Sequence, residues 1–445
     1  MGLGFYFLGR NGPVRAVSVT MLPLTVSPVR SRLAATSSRI RIDYSLWFPL
    51  TVYAIVRLVD VVLILIAARH QIALPQGATG LAGYNIWEPS PASPGYGSVA
   101  SNWDGQWYFS IATHGYPTTI PRDTAGHALQ NQWGFYPAYP LLVGAIMRIS
   151  GLDFMVVAPI LSILLGAAAV TVMFRLVSQS LGRFAASATV ALTCTYMAAP
   201  AMQIAYTESL ALLLLCTALL LLRNRRYGWL IPVLVTLALT RAVALAFVPV
   251  LVVHGISRYR RRTVEPFPTL DRWRVAGLAC LGVAVTGLWP AIAAITTGDP
   301  AAYTQTMSSW GGTTGKLRVL IQFPVFALAE GGAMGMAVLI GIIGLTAAIV
   351  LRRGAAAWGP EVRAWAGFYP LYLLLATAPG SSNIRHLLLA FPLMWPFPEE
   401  ATSTSERLRR TAMVAIMATC GLLTQWVWIS QFLVLTGPPE SRPFP

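Results

Sequence analysis

The segment around residue 104 places a carboxylate among aromatic side chains. Trp103, Trp107 and Ile111 recur every four residues, and Tyr108 follows Asp104 by four, so on a helix the carboxylate would lie beside an apolar stripe. Partial withdrawal from water makes such a carboxylate a better base toward an acceptor hydroxyl, and aromatic faces can contact sugar C–H groups. The alternative is that Asp104 caps the helix N-terminus, where the dipole stabilises negative charge. The residue pattern supports both interpretations equally.

A second acid, Glu208, opens an apolar run directly after Thr207. A carboxylate at the head of a membrane helix is costly unless it is paired or used, which favours a functional role. The alternative is that Thr207 caps the helix while Glu208 lies in its first turn. We favour the functional interpretation.

Three cations adjoin breaks in the apolar pattern: Arg241, Arg385 and His386. An arginine at such a break can bind a phosphate group, although a single one is more often an anchor that reaches the headgroups. Because these cations are expected on the same side as Asp104 and Glu208, the set predicts a diphosphate or phosphate-sugar site. The sequence has no GxxxxGK[ST], no GxGxxG before a helix, no HExxH and no Asp-x-Asp, so neither nucleotide hydrolysis nor a metal-held nucleotide sugar is supported.

The elements that would carry these residues are membrane helices. Of the 445 residues, 56% are hydrophobic and 11% are charged, with a net charge of +16, whereas a soluble protein carries roughly a quarter charged residues. Arginines cluster at the edges of apolar runs, as in 223–226 and 258–262, which follows the positive-inside rule and argues against nucleic-acid binding. The cysteines lie inside apolar runs, so we expect small core hydrophobes at Cys194, Cys216, Cys280 and Cys420.

Runs of about 20 apolar residues predict an all-α polytopic protein with about eleven spans. The basic segment 1–45 is expected to be a disordered cytoplasmic tail, 46–436 the transmembrane domain, and 437–445 a C-terminal tail. The short run 136–149 is predicted to be interfacial or re-entrant, since a span there would put later basic loops on the wrong side. The first outer loop is then 69–154. The spans are predicted at 47–68, 155–175, 184–200, 206–222, 229–240, 242–256, 274–296, 333–351, 364–378, 383–398 and 411–436.

Several of these segments, taken in order, resemble the PIG-V-type mannosyltransferases, here of the bacterial branch. They are Trp103-Asp104-Gly105, Ile111-Ala112, Gly115-Tyr116, Phe135-Tyr136-Pro137 with Pro140, and Tyr206-Thr207-Glu208-Ser209. That family belongs to the GT-C class of multi-spanning glycosyltransferases, so the resemblance implies a GT-C-like fold. In the eukaryotic members of that family, serine follows the motif aspartate and a histidine comes soon after. Gly105, Gln106 and Trp107 stand here instead, which argues against a GPI precursor as acceptor.

The resemblance implies an inverting transfer of mannose from a polyprenyl-phosphate mannose to a lipid-linked or cell-envelope acceptor, at the outer face of a bacterial plasma membrane. Asp104 would be the general base and Glu208 a site-shaping or acceptor-binding group. Such a donor carries its own phosphate leaving group, so neither a metal nor a cofactor is expected. The residues expected to contact substrates are Trp103, Trp107, Tyr136, Tyr206, Glu208, Arg241, Arg385 and His386.

Two other functional classes fit a membrane protein of this composition. A transporter or flippase for a lipid-linked glycan should place ionisable residues near mid-bilayer. Asp60 is the clearest such residue, and Arg57 is close enough in sequence to pair with it. A non-catalytic scaffold for other membrane enzymes is the third class, and the acids and arginines expected on the outer side argue against it.

Overall fold

Helices form most of the chain that the computed structural model describes, namely residues 43–78, 85–310, 316–377, 380–395, 397, 403–437 and 445. The α-helices are α1 (Tyr44–Ala68), α2 (Tyr96–Ala100), α3 (Asp104–His114), α4 (Ala138–Ser150), α5 (Phe154–Cys194), α6 (Glu208–Arg223), α7 (Tyr227–Ala238), α8 (Ala244–Arg260), α9 (Thr269–Ala284), α10 (Leu288–Thr297), α11 (Ala302–Ser308), α12 (Lys316–Leu351), α13 (Pro360–Ala376), α14 (Ser382–His386) and α15 (Thr404–Trp428). Short 3-10 turns lie at Gln132–Gly134, Ala199–Met202, Val285–Gly287, Arg353–Trp358 and Leu387–Met394, and a π-turn lies at Ile429–Leu433. One antiparallel pair of two-residue strands joins Gly77–Ala78 (β1) to Asn85–Ile86 (β2).

Five described helical segments are long and apolar enough to cross a membrane: Tyr44–Ala68, Phe154–Cys194, Thr269–Thr297, Gly331–Leu351 and Thr404–Leu433. Helices satisfy their own backbone hydrogen bonds, which is what the bilayer interior demands. The chain is therefore an integral membrane protein of all-α class, as predicted. The other predicted spans coincide with shorter helices, and the count of eleven stays a prediction.

The core forms where α5 packs on α1 and α6, and where α13 packs on α8. The predicted span 155–175 and the first part of the predicted span 184–200 belong to one long helical segment, α5, which is kinked at Gly182, where φ is 74°. Glycine reaches that left-handed region without the steric penalty of other residues. The pair predicted from sequence in α1 is present, with Arg57 Nη2 3.0 Å from Asp60 Oδ2.

Helix α4 covers the run predicted to be interfacial or re-entrant. At its start the Ala138 amide donates to the Leu239 carbonyl. Along its length Gly144 is so close to Ala112 of α3 that an added Cβ would lie 2.8 Å from the Ala112 carbonyl oxygen. Helix α5 begins beside α3, where Phe154 and Phe109 meet edge to face. Helix α4 thus packs beside α3, at the end of the bundle hereafter called the site end, and its interfacial or re-entrant position stays a prediction.

The predicted tails can be compared with the structure only in part. Residues 43–445 form one unit by their contacts, and α1 already begins at Tyr44, capped by the Asp43 side chain. The predicted disorder of the N-terminal tail up to residue 42, and most of the C-terminal tail, lie outside the described residues.

The cysteine predictions have a mixed outcome. Cys194 and Cys216 are buried as predicted. The prediction was wrong for Cys280 and Cys420, which are exposed on outward faces of α9 and α15.

Candidate active site

The start of α3 is held in an unusual backbone conformation. Trp103 has φ 58° and ψ −116°, a region that a bulky residue adopts only when its surroundings hold it there. Its ring is buried, and its Nε1 donates to the Leu433 carbonyl at 3.1 Å. Trp103 therefore occupies the cap position and Asp104 is the first residue of α3. Asp104 is therefore not the capping residue, although it lies in the first turn, where the helix dipole stabilises its charge.

The Asp104 carboxylate instead joins an ionic cluster drawn from four separate elements. Arg385 of α14 donates from Nη1 to Asp104 Oδ2 at 2.7 Å, and its Nε lies 3.2 Å from Glu208 Oε1. Arg241, in the turn between α7 and α8, also pairs with Glu208 Oε1. The Arg385 guanidinium lies 4.5 Å from the centroid of the Tyr206 ring, a distance at which cation–π attraction acts. This ionic cluster contains two carboxylates and two guanidiniums.

The members of the ionic cluster differ in their access to solvent. The Glu208 side chain is 1% exposed, whereas that of Asp104 is 28% exposed. Thr207 holds the cap position of α6 without a side-chain capping bond, and its hydroxyl accepts instead from Arg241 Nη1 at 3.4 Å. Thr207 and Glu208 thus occupy the predicted cap position and first turn, but Thr207 does not make the predicted side-chain capping bond. Asp104 is the carboxylate that a substrate can reach.

Electrostatics keep two neighbouring groups in defined protonation states. Burial alone would lower the pKa of Arg241, but the Glu208 carboxylate, together with smaller contributions from Tyr369 and Tyr108, more than offsets burial, so the pKa is raised and the guanidinium stays charged. Burial, and next the Asp104 carboxylate, raise the pKa of Tyr108 well above its usual value. Tyr108 thus keeps its proton and remains a hydrogen-bond donor beside the acid.

A cavity of about 610 Å³ opens over the ionic cluster, within the size range of small-molecule sites. Its wall includes five of the residues predicted from sequence: Asp104, Tyr136, Arg241, Arg385 and His386. Aromatic and polar side chains of α11 and α13, together with Trp310, complete much of the remaining wall. The structure thus brings together one acid, two arginines and a histidine from distant parts of the chain, and Asp104 and Arg385 alone are 281 positions apart.

Four other residues predicted to contact substrate do not line this cavity. Trp103 and Tyr206 are buried, Tyr206 beneath the Arg385 guanidinium. Trp107 is 3% exposed and stacks on Phe135 with ring centroids 5.5 Å apart. Glu208 lies behind Arg241. The cavity geometry gives these four residues a supporting position and offers no direct substrate contact from them.

Gly105 and Gln106, which differ from the eukaryotic sequence pattern, are also not among the residues that line the cavity. Gln106 Oε1 accepts from the backbone amides of Trp87 and Glu88, both at 2.9 Å. A Cβ added at Gly105 would lie 3.4 Å from the Ala205 Cβ, so this position is in close packing. Both residues fix the fold of the loop that carries Asp104.

Sequence reasoning missed the part of the cavity wall that comes from α11 and α13. Tyr303 and Met307 lie one helical turn apart on α11, and Tyr369 and Tyr372 do the same on α13. The available signal was this spacing of aromatic and apolar side chains at i, i+3 and i, i+4. That spacing is equally typical of core packing, so only the fold identifies the surface as a wall.

A second space, an apolar groove of about 1050 Å³, lies between α12 and α13. It is lined chiefly by aliphatic and aromatic side chains, among them Phe326, Val338, Ile342, Phe368 and Leu371. Leu373 and Asn383 border both the groove and the cavity. The apolar groove therefore adjoins the polar cavity.

Comparison of the sequence with protein-family models and with curated proteins finds no match. Among solved structures, the archaeal oligosaccharyltransferase AglB from Archaeoglobus fulgidus, in complex with an inhibitory peptide and a dolichol-phosphate, gives a TM-score of 0.45. Its identity is 11%, over 89% of this chain and 57% of that one. The oligosaccharyltransferase from the same organism in complex with Zn and sulfate also gives 0.45, at 13% identity over 88% of this chain and 54% of that one. This chain spans a little over half the length of those proteins.

Proposed function

We propose that this protein is an inverting glycosyltransferase that moves mannose from a polyprenyl-phosphate mannose to a lipid-linked or cell-envelope acceptor at the outer face of the membrane. The observation that carries the proposal is the cavity in which Asp104, Arg241 and Arg385 meet, next to an apolar groove. One site thus offers a base, two phosphate-binding cations and room for a hydrocarbon chain. The sequence resemblance to PIG-V-type mannosyltransferases supplies the choice of mannose.

Asp104 is the proposed general base. Its Oδ2 accepts from Arg385, so the carboxylate is held in place, and Oδ1 is assigned to take the proton of the acceptor hydroxyl. The acceptor oxygen forms a bond to C1 of the sugar while the bond between C1 and the phosphate oxygen breaks. The electron pair of that bond leaves with the lipid phosphate. Attack on the face opposite the leaving group inverts the configuration at C1.

The arginines are assigned to the departing phosphate. A guanidinium carries five N–H donors, and the recorded contacts of Arg241 and Arg385 with carboxylates occupy only some of them. Their paired carboxylates fix the two guanidiniums before substrate arrives, which is the preorganisation that stabilises developing charge most effectively. Glu208 is accordingly a positioning residue that holds both arginines.

The donor lipid is assigned to the groove between α12 and α13. A polyprenyl chain is apolar along its whole length, so a groove lined by aliphatic and aromatic side chains can hold it without burying an unpaired polar group. The shared border at Leu373 and Asn383 would let the chain lie in the groove while its phosphate reaches the arginines.

The transporter alternative is less well supported. Asp60, the ionisable residue expected to mark a pathway, is fully buried and paired with Arg57. Neither residue borders the cavity or the groove. A transported glycan would therefore not meet this pair in the described structure.

The test uses purified full-length protein in lipid nanodiscs, with labelled polyprenyl-phosphate mannose and extracted envelope lipids as acceptor. We expect Asp104→Asn to lower the transfer rate by about 10²–10⁴-fold, the usual contribution of a general base. The matched control is Asp123→Asn, an exposed aspartate of the same loop, which should transfer at the wild-type rate. Wild-type transfer by Asp104→Asn would refute the catalytic assignment. The same protein in sealed proteoliposomes tests the alternative, because movement of the intact labelled lipid from one leaflet to the other without transfer would favour the transporter.

A further inference from the structure

The helix α11 presents two different faces to its surroundings. Tyr303, Thr304 and Met307 border the cavity. On another face, Gln305 Oε1 accepts from Arg122 Nη2 at 2.6 Å, and Thr306 Oγ1 accepts from Asn131 Nδ2 at 3.0 Å. The periodicity of a helix separates these sets.

The loop 117–131 fixes the position of α11. Arg122 contacts Asp299 Oδ2 at 3.2 Å as well as Gln305, so it fastens both the segment before α11 and the helix itself. Further along, Gln130 Nε2 donates to the Ser309 carbonyl at 3.4 Å. The first long loop of the protein thus carries Asp104 at one point and holds α11 at another.

The cavity-facing side chains of α11 suit a ligand with both apolar faces and hydroxyl groups. The Tyr303 hydroxyl lies 3.1 Å from that of Tyr136, and their rings meet at 71°. Tyr136 in turn packs on the buried Trp289. Two supported rings with paired hydroxyls offer flat surfaces and hydrogen bonds together, as carbohydrate recognition requires.

This aromatic wall lies apart from the position assigned to the donor lipid. Among the described residues that border the apolar groove, none belongs to α11, whereas Leu373 and Asn383 mark the junction between groove and cavity. The phosphate is assigned to Arg241 and Arg385, so the α11 side of the cavity is left for the second substrate.

We propose that α11 is the acceptor-recognition element, with the Tyr303 ring, supported by Tyr136, as the platform on which the ring of an acceptor sugar stacks. The inference rests on the glycosyltransferase function proposed above and adds the chemical class of the acceptor group, a hexose. Tyr303 is accordingly a specificity-determining residue, and Arg122 and Asn131 are positioning residues that act through α11.

The test measures binding of octyl α-D-mannopyranoside to the purified protein by titration calorimetry, with 1-octanol as the probe that has the same chain and no sugar. We expect wild type to bind the mannoside and Tyr303→Ala to bind it about tenfold more weakly, the size expected for loss of an aromatic contact. Tyr303→Phe keeps the ring and should stay within about threefold of wild type. Tyr259→Ala, an exposed tyrosine outside the cavity, is the matched control and should bind as wild type does.

In transfer assays with octyl α-D-mannopyranoside as acceptor, Tyr303→Ala should raise the acceptor KM about tenfold and leave the donor KM within about twofold. Equal binding of the mannoside by Tyr303→Ala and wild type would overturn the inference. So would wild-type protein that binds 1-octanol as tightly as it binds the mannoside. Absence of transfer by wild type, with mannoside binding still weakened by Tyr303→Ala, would refute the proposed function while leaving the sugar platform supported. Thermal unfolding of each variant identifies any loss caused by misfolding.

Discussion

Two buried ionic groups of this protein are built from the same residue types and differ in what surrounds them. In α1, Arg57 pairs with Asp60 and also donates to the carbonyl oxygens of Cys194, at 2.7 Å, and Ala199. Both side chains are at most 4% exposed, and protein surrounds the pair on all sides. At the site end, Arg385 joins two carboxylates, and the Asp104 side chain remains 28% exposed to a cavity.

The difference separates a structural ion pair from a candidate active site. The pair in α1 ties that helix to the end of α5, because Arg57 donates to the carbonyl of Cys194, the last residue of α5, and to that of Ala199 in the 3-10 turn that follows. The cluster at the site end leaves one carboxylate and part of each guanidinium open to a ligand. A buried carboxylate with an arginine beside it is therefore informative about function only when a cavity reaches it.

The largest expected effect comes from removing the arginine of the closed pair. In Arg57→Met, Asp60 loses its only charged neighbour in the described structure and stays fully buried. Breaking such a pair costs about 3–5 kcal/mol, measured as the loss of unfolding free energy in detergent. Arg69→Met, an exposed arginine at the end of the same helix, should change it by less than about 0.5 kcal/mol. A small loss in Arg57→Met would mean that water enters around Asp60.

The same substitution at the open cluster should act on activity more than on stability. In Arg385→Met, Asp104 loses a hydrogen-bond donor and the departing phosphate loses a cation, so transfer should fall by about 100-fold, roughly 2.7 kcal/mol of barrier. Glu208 keeps Arg241, and Asp104 can be hydrated from the cavity, so the stability loss should be smaller than in Arg57→Met. The comparison fails if Arg385→Met loses as much stability as Arg57→Met and keeps wild-type transfer.

A smaller effect should follow from filling the apolar groove. Ala347 borders the groove, and Ala348 next to it does not. Ala347→Trp should raise the KM for a long-chain polyprenyl-phosphate mannose about tenfold, or roughly 1.4 kcal/mol. It should affect a donor with a two-isoprene chain less, since less of that chain would lie in the groove. Ala348→Trp is the control, and equal effects of the two variants on both donors would exclude the groove as the lipid site.

Local patterns in the sequence were enough to predict the helical membrane architecture and several residues of the site. The apolar runs predicted α1, α5 and α12, because a spanning helix needs a continuous length of apolar side chains whatever its neighbours are. The aromatic segment around Asp104 and the cations Arg241 and Arg385 stood out as polar breaks in those runs. All three residues line the cavity.

The assignment of roles within the aromatic segments needed the fold. Trp103 and Trp107 have the composition of a sugar-binding surface, but both are buried, since the strained start of α3 turns Trp103 toward Leu433 and Trp107 packs on Phe135. Tyr303 drew no attention in the sequence and borders the cavity. Burial depends on neighbours that lie far away along the chain, so spacing within one helix does not determine it.

The sequence by itself determined that this protein is a multi-helix membrane protein with an acid and two arginines at breaks between apolar runs, because hydropathy and charge act locally along the chain. The tertiary structure alone decided that Arg385 meets Asp104 across 281 positions, that Arg57 and Asp60 are sealed, and that α11 supplies an aromatic wall. Those outcomes follow from packing between elements that are far apart in the chain, and such packing brings distant residues into contact without leaving a periodic pattern in the sequence.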